Sequence, residues 1–130
     1  MIAACPATTV QPAALPGAPA GVPWIKVSKG LAGIVFGARA GATTLELPAG
    51  GAWADGHTAK ILWWPRRRGA AHSIAIRGRS LEGGGTFVEK FSASGSNFPS
   101  IVDLPSAGCW RVDVTTGKLH GTVYVNAVSP

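Results

Sequence analysis

The chain has 130 residues, 46% hydrophobic and 14% charged, with 18 Gly and 10 Pro. One domain with one core is expected, rich in turns and poorer in charge than a cytosolic domain. A net charge of +6 favours anionic surfaces without defining a partner, and no run approaches the roughly 20 apolar residues of a transmembrane segment.

Taken from its start, the chain opens on Ile2-Ala3-Ala4-Cys5, which looks like the end of a bacterial lipoprotein signal. No hydrophobic segment precedes it, so an export signal is not visible. Residues 6–23, PATTVQPAALPGAPAGVP, contain five prolines and no charge. They predict an extended arm, either a flexible tether or a strap laid along the domain. The division expected is an arm over residues 1–23 and one β-sandwich domain over 24–130.

Short strand patterns follow. Residues 24–28 put Ile25 and Val27 on one face, and 31–37 are apolar enough to be buried on both sides. Residues 43–47 alternate, and 48–56 read as a loop. Residues 58–64 form a strong strand that Pro65 stops. Residues 73–79 alternate Ile74 and Ile76 with Ala75, Arg77 and Arg79. Residues 86–91 are a strand of open facing, because Glu89 separates Phe87 from Phe91. In 98–104 the apolar face is Phe98, Val102 and Leu104 with Ser100. After the Pro105–Gly108 corner, Trp110, Val112 and Val114 alternate with Cys109, Arg111 and Asp113. Residues 118–128 close the chain, with Leu119, Val123, Val125 and Ala127 sharing a face with Gly121.

About eight or nine such strands, without helical periodicity, predict an all-β fold. The reading is an immunoglobulin-like β-sandwich, with a small β-barrel as the alternative. The strand of Trp63, the 98–114 corner and the closing hairpin follow the order of strands C, E, F and G.

CPAT at 5–8, PWI at 23–25, KILWW at 60–64, IRGRSLEG at 76–83 and FPSIVDLPSAGCWRV at 98–112 occur in this order. In these segments the chain resembles a group of uncharacterised bacterial extracytoplasmic proteins, secreted or lipoprotein-like. Their signature pairs an early Cys-Pro with a late Phe-Pro-Ser…Gly-Cys-Trp. The resemblance implies a secreted immunoglobulin-like fold and supplies no activity.

Few residues offer chemistry. Asp55-Gly56-His57 sets a carboxylate near an imidazole but reads as a turn. His72 and His120 lack acidic or thiol neighbours at ligand spacing, so no metal site is expected. Glu46, Glu82, Glu89 and Asp103 are scattered, and the loop at 92–96 lacks a nucleophile turn. No enzyme and no cofactor are expected. The sharpest local feature is Arg66-Arg67-Arg68 after Trp64. Three adjacent guanidinium groups require a solvated loop. With Trp64, Arg77 and Arg79 they form a candidate site for an acidic glycan or anionic lipid, or a loop that keeps the domain soluble. Nucleic acid is not expected, because no stacking aromatic ladder accompanies the charge. Trp63 and Trp64 point to opposite faces, so one fills the core and the arm or a loop covers the other.

The functional expectation is a non-enzymatic extracytoplasmic structural or interaction module, its partner an anionic cell-surface ligand or another envelope protein. The two cysteines show no zinc spacing and suit an extracytoplasmic disulfide, with two buried thiols the alternative. Cys109 alternates with the core-facing Trp110 and so lies on the outer side of its strand. Cys5 can reach it, since 18 extended residues span on the order of 55 Å. A Cys5–Cys109 bridge excludes a lipidated Cys5, whose sulfur would be occupied.

Overall fold

A period of two decides which side chains each strand buries, and among the described residues nine segments carry it far enough to pair. The computed structural model describes residues 5–11, 15–18, 21–39, 41–66, 69–92 and 97–130. The strands are β1 (Trp24–Ser28), β2 (Leu31–Phe36), β3 (Glu46–Pro48), β4 (Lys60–Pro65), β5 (Ser73–Ser80), β6 (Thr86–Ser92), β7 (Phe98–Ile101), β8 (Gly108–Thr116) and β9 (Leu119–Val128). The first sheet has the order β1-β2-β4-β7 and the second β3-β9-β8-β5-β6. All pairs are antiparallel except β3 with β9. The fold is the expected all-β sandwich.

One strand takes a different place from that expected. Trp63 pairs with Phe98 across β4 and β7, so its strand stands where an immunoglobulin-like sandwich has B beside E. The C position belongs to β5, which pairs with β8, as β8 does with β9. Alternation within a strand encodes facing, whereas strand order is set by non-local pairing.

Trp63, Phe98 and Trp110 are the largest side chains fully buried between the sheets. Their polar atoms are satisfied, as buried donors must be. Trp63 Nε1 donates to Ser100 Oγ at 3.1 Å, and Trp110 Nε1 to the Ser106 carbonyl at 2.9 Å. Trp110 thereby ties the β7–β8 corner back on itself, the task many such domains give to a tyrosine.

β2 is buried on both faces, as its unbroken apolar run implies. Leu31 and Val35 join the inter-sheet core, while Ala32 and Ile34 face out and meet Leu15 of the arm. The arm is a strap. Thr8 donates its N–H to the Tyr124 carbonyl at 2.9 Å, and its own carbonyl accepts from Leu45 N at 2.8 Å. Val10 sinks into the core edge, and Gln11 exchanges both backbone hydrogen bonds with Trp24 at 2.7 and 3.2 Å. The arm thus passes from the second sheet, round the edge of the sandwich, to the outer face of the first.

Glu89 has the facing that its sequence left open. It points inward from β6, half-buried and in register with Ile76. An inward carboxylate on an edge strand discourages further strand pairing. Burial pushes its carboxyl up from the ordinary 4.5, the Asp103 backbone N–H opposes that rise, and the Asp103 charge adds to it. The native state therefore binds this proton more tightly than the unfolded chain does. Stability on this account is greatest below the ordinary carboxylate range and is lost as pH rises through the raised native value. Glu89→Gln is expected to melt higher than wild type at pH 8, with the difference vanishing towards pH 4. Melting curves over that range check it, and a variant that melts lower at pH 8 contradicts it.

Candidate functional site

The outer faces of the two sheets have different fates, and the predicted site residues divide between them. On the first sheet, Trp64 is half-buried under the arm, and a Cβ placed on Gly17 would lie 3.5 Å from its ring. Arg66 follows β4. Its Nη1 donates to the Pro16 carbonyl at 2.8 Å, and its guanidinium lies 5.7 Å from the Trp64 ring centroid. These two residues clasp the arm. Arg67 and Arg68 lie outside the described residues.

Arg77 and Arg79 lie on the second sheet. They alternate along β5 with Ile74, Ile76 and Gly78, which face the core. The sheet therefore turns both guanidinium groups outward, away from Trp64 and Arg66. Two cations that sequence reasoning did not gather join them there. Arg111 of β8 is the register partner of Arg79, and Lys90 of β6 is that of Ala75. The outward parity of Arg111 is legible from its core neighbours Trp110 and Val112; its adjacency to Arg79 appears only in the ladder.

One carboxylate sits among these charges. Asp113 Oδ1 accepts from Arg111 Nε at 3.3 Å and from Thr122 Oγ1 at 2.5 Å. Among the described residues, Arg77 and Arg79 have no acid within ion-pair distance. With Thr86, Val88 and Asp113, the three arginines line a shallow depression on this open face.

The Asp55–His57 pair is an exposed turn. Asp55 Oδ1 accepts from the His57 backbone N–H at 3.1 Å and lies 2.5 Å from Nδ1. The backbone N–H, and next the imidazole, hold the Asp55 carboxyl below its ordinary value. Nearby, Trp53 Nε1 donates to the Gly37 carbonyl at 2.6 Å, and Arg39 stacks 4.6 Å from the Trp53 ring centroid. His72 and His120 are exposed.

Cys5 and Cys109 are joined, with S–S 2.03 Å and Cα atoms 5.4 Å apart. Cys109 is buried beneath the arm on the outer side of β8, opposite in parity to Trp110. With its sulfur in the bridge, Cys5 has no thiol for a lipid thioether. Among the described residues, no helix is long and apolar enough to cross a membrane.

No protein-family model matches the sequence, and no curated protein matches it. A solved structure from Bacillus anthracis, described as a "putative lipoprotein", superposes with a TM-score of 0.53 at 10% identity. The match covers 83% of this chain and 79% of that one. At that identity the likeness is one of fold.

Proposed function

We propose that the chain is a non-catalytic extracytoplasmic interaction module that offers the open face of its second sheet to an anionic partner at the cell surface. The observation that carries this reading is the contrast between the two faces. The arm covers the apolar middle of the first and leaves Lys26 and Lys60 exposed there, whereas the second presents Arg77, Arg79, Arg111 and Lys90 around the single acid Asp113. Cations on an exposed, rigid sheet attract anions over about a Debye length. The disulfide suits an oxidising compartment, and the fold neighbour's description and the early Cys-Pro and late Gly-Cys-Trp segments support the same location. This reading keeps Arg77 and Arg79 of the sequence expectation and adds Arg111 and Lys90, while Arg66 holds the arm.

Binding to immobilised acidic polysaccharide and to anionic vesicles, measured between low and physiological salt, tests the reading. Retention that weakens steeply with salt is expected. Failure to bind any anionic probe at low salt overturns the anionic partner. Reproducible hydrolase turnover that is lost in His57→Ala overturns the non-catalytic assignment.

A further inference from the structure

Arg79 and Arg111 stand directly opposite each other across β5 and β8. On one face of an antiparallel pair, opposed Cβ atoms lie about 4.5–5.5 Å apart, and like charges so placed are destabilising. Asp113 relieves one member by accepting from Arg111 Nε at 3.3 Å, but it is not within ion-pair distance of Arg79. Arg77 lies one pleat repeat along β5, about 7 Å from Arg79. Lys90 of β6 is diagonal to Arg77, since Arg77 pairs with Val88 and Ala75 with Lys90. Such diagonal neighbours are about 7–8 Å apart. Arg111, Arg79, Arg77 and Lys90 therefore form an oblique row across three strands. The row is flanked by Thr122, Asp113 and Thr115 on one side, Asp113 being the register partner of Arg77, and by Thr86 and Val88 on the other.

We infer that this row is a track for a linear polyanion, with the Arg79–Arg111 pair clamping one anionic group and Arg77 and Lys90 meeting the next. The inference rests on the anionic partner proposed above. Planar guanidinium forks fit phosphate, sulfate and carboxylate in two-point contacts. An anion between two opposed guanidinium groups converts their repulsion into two attractions, which gives the unfavourable pairing a use. A row one side chain wide suits a chain better than a plane. Tyr124, half-buried opposite Arg111, is the aromatic residue beside it among the described positions, so the track lacks a stacking ladder for bases.

The test uses inorganic polyphosphate and heparin as phosphate and sulfate polymers, with single-stranded DNA and anionic vesicles as the competing classes. Four proteins are compared for binding: wild type, Arg79→Gln/Arg111→Gln, Arg79→Lys/Arg111→Lys, and Lys26→Gln/Lys60→Gln. The last pair removes equal charge from the exposed outer side of the first sheet. Polymer binding by wild type is expected to weaken at least about tenfold in the arginine variant, and less in the lysine variant. The slope of log affinity against log salt should fall by about two in the arginine variant. Without ligand at low salt, Arg79→Gln alone, which keeps the Arg111–Asp113 pair, should melt no lower than wild type, because a repulsion has been removed. Arg79→Lys/Arg111→Lys, which keeps the charge and loses the forks, should bind between wild type and Arg79→Gln/Arg111→Gln. Equal losses in the glutamine variants overturn the clamp and leave the anionic partner standing. Binding confined to vesicles overturns the polymer track, and binding tightest to DNA overturns the exclusion of nucleic acid. If wild type binds no anionic probe, the underlying reading fails with it. The preference between polyphosphate and heparin identifies the anion.

Discussion

Replacing Cys5 and Cys109 with serine is expected to lower stability by about 3–5 kcal/mol and the melting temperature by about 10–18 °C. The bridge joins residues 104 apart in sequence, so in the chain-entropy model it restricts nearly the whole unfolded chain. The native state should change far less. The strap is held by other means from Thr8 onward: bonds to Tyr124 and Leu45, the Gln11–Trp24 pair, Val10 in the core, and Leu15 against Ile34. The reduced protein should therefore keep its tryptophan emission while melting earlier. Removing residues 5–23 should do more, because Ala32, Ile34 and Trp64 would then face water. Thermal unfolding of the two variants, followed by tryptophan fluorescence, separates these cases. A double-serine variant within about 1 kcal/mol of wild type would mean that the unfolded chain keeps the arm near β8 without the bond.

The outer facing of Cys109 was legible in the sequence for the same reason that the roles of Trp63 and Trp64 were. Strand side chains alternate, so one confident core residue assigns its neighbours. Trp110 fixes Cys109 and Arg111 outward, and the run through β2 implies cover on both faces. Alternation does not say which strands touch. The Trp63 strand was therefore expected at C and stands at B. For the same reason Arg111 and Lys90 were not joined to Arg77 and Arg79. A run of adjacent arginines draws the eye in a sequence, but Arg66 turned out to serve the arm. Charges brought together by ladder register leave no contiguous motif. Glu89 is a third case: a carboxylate between Phe87 and Phe91 leaves the facing open in the sequence, and the ladder with Ile76 on an edge strand places it inward.

Gly121→Ala is expected to destabilise the protein by about 3 kcal/mol, and Gly78→Ala by about 1–2 kcal/mol, although the second has the shorter clash. A Cβ on Gly121 of β9 would lie 2.3 Å from the Val27 carbonyl oxygen and 2.8 Å from its carbon. Those are backbone atoms of β1, at the edge where the two sheets approach. Relief requires moving β1, which also carries the Trp24 end of the arm's Gln11 pairing. A Cβ on Gly78 of β5 would lie 2.0 Å from Phe87 Cε1. Phe87 is the cross-strand partner of Gly78 and covers it, much as an aromatic ring shields a strand glycine elsewhere. It belongs to edge strand β6 and is only half-buried, so the ring can swing outward. The cost of that movement is its contact with Trp110, whose ring centroid is 5.6 Å away. The nature of the obstructing atom, backbone or side chain, therefore decides the order of the two effects. Denaturant melts of both variants measure that order. Phe87→Leu in the Gly78→Ala background should recover part of the loss by vacating the space, whereas no single side-chain truncation on β1 should rescue Gly121→Ala. The opposite ranking would show that β1 moves freely against β9 and that the Phe87–Trp110 contact is the stiffer element.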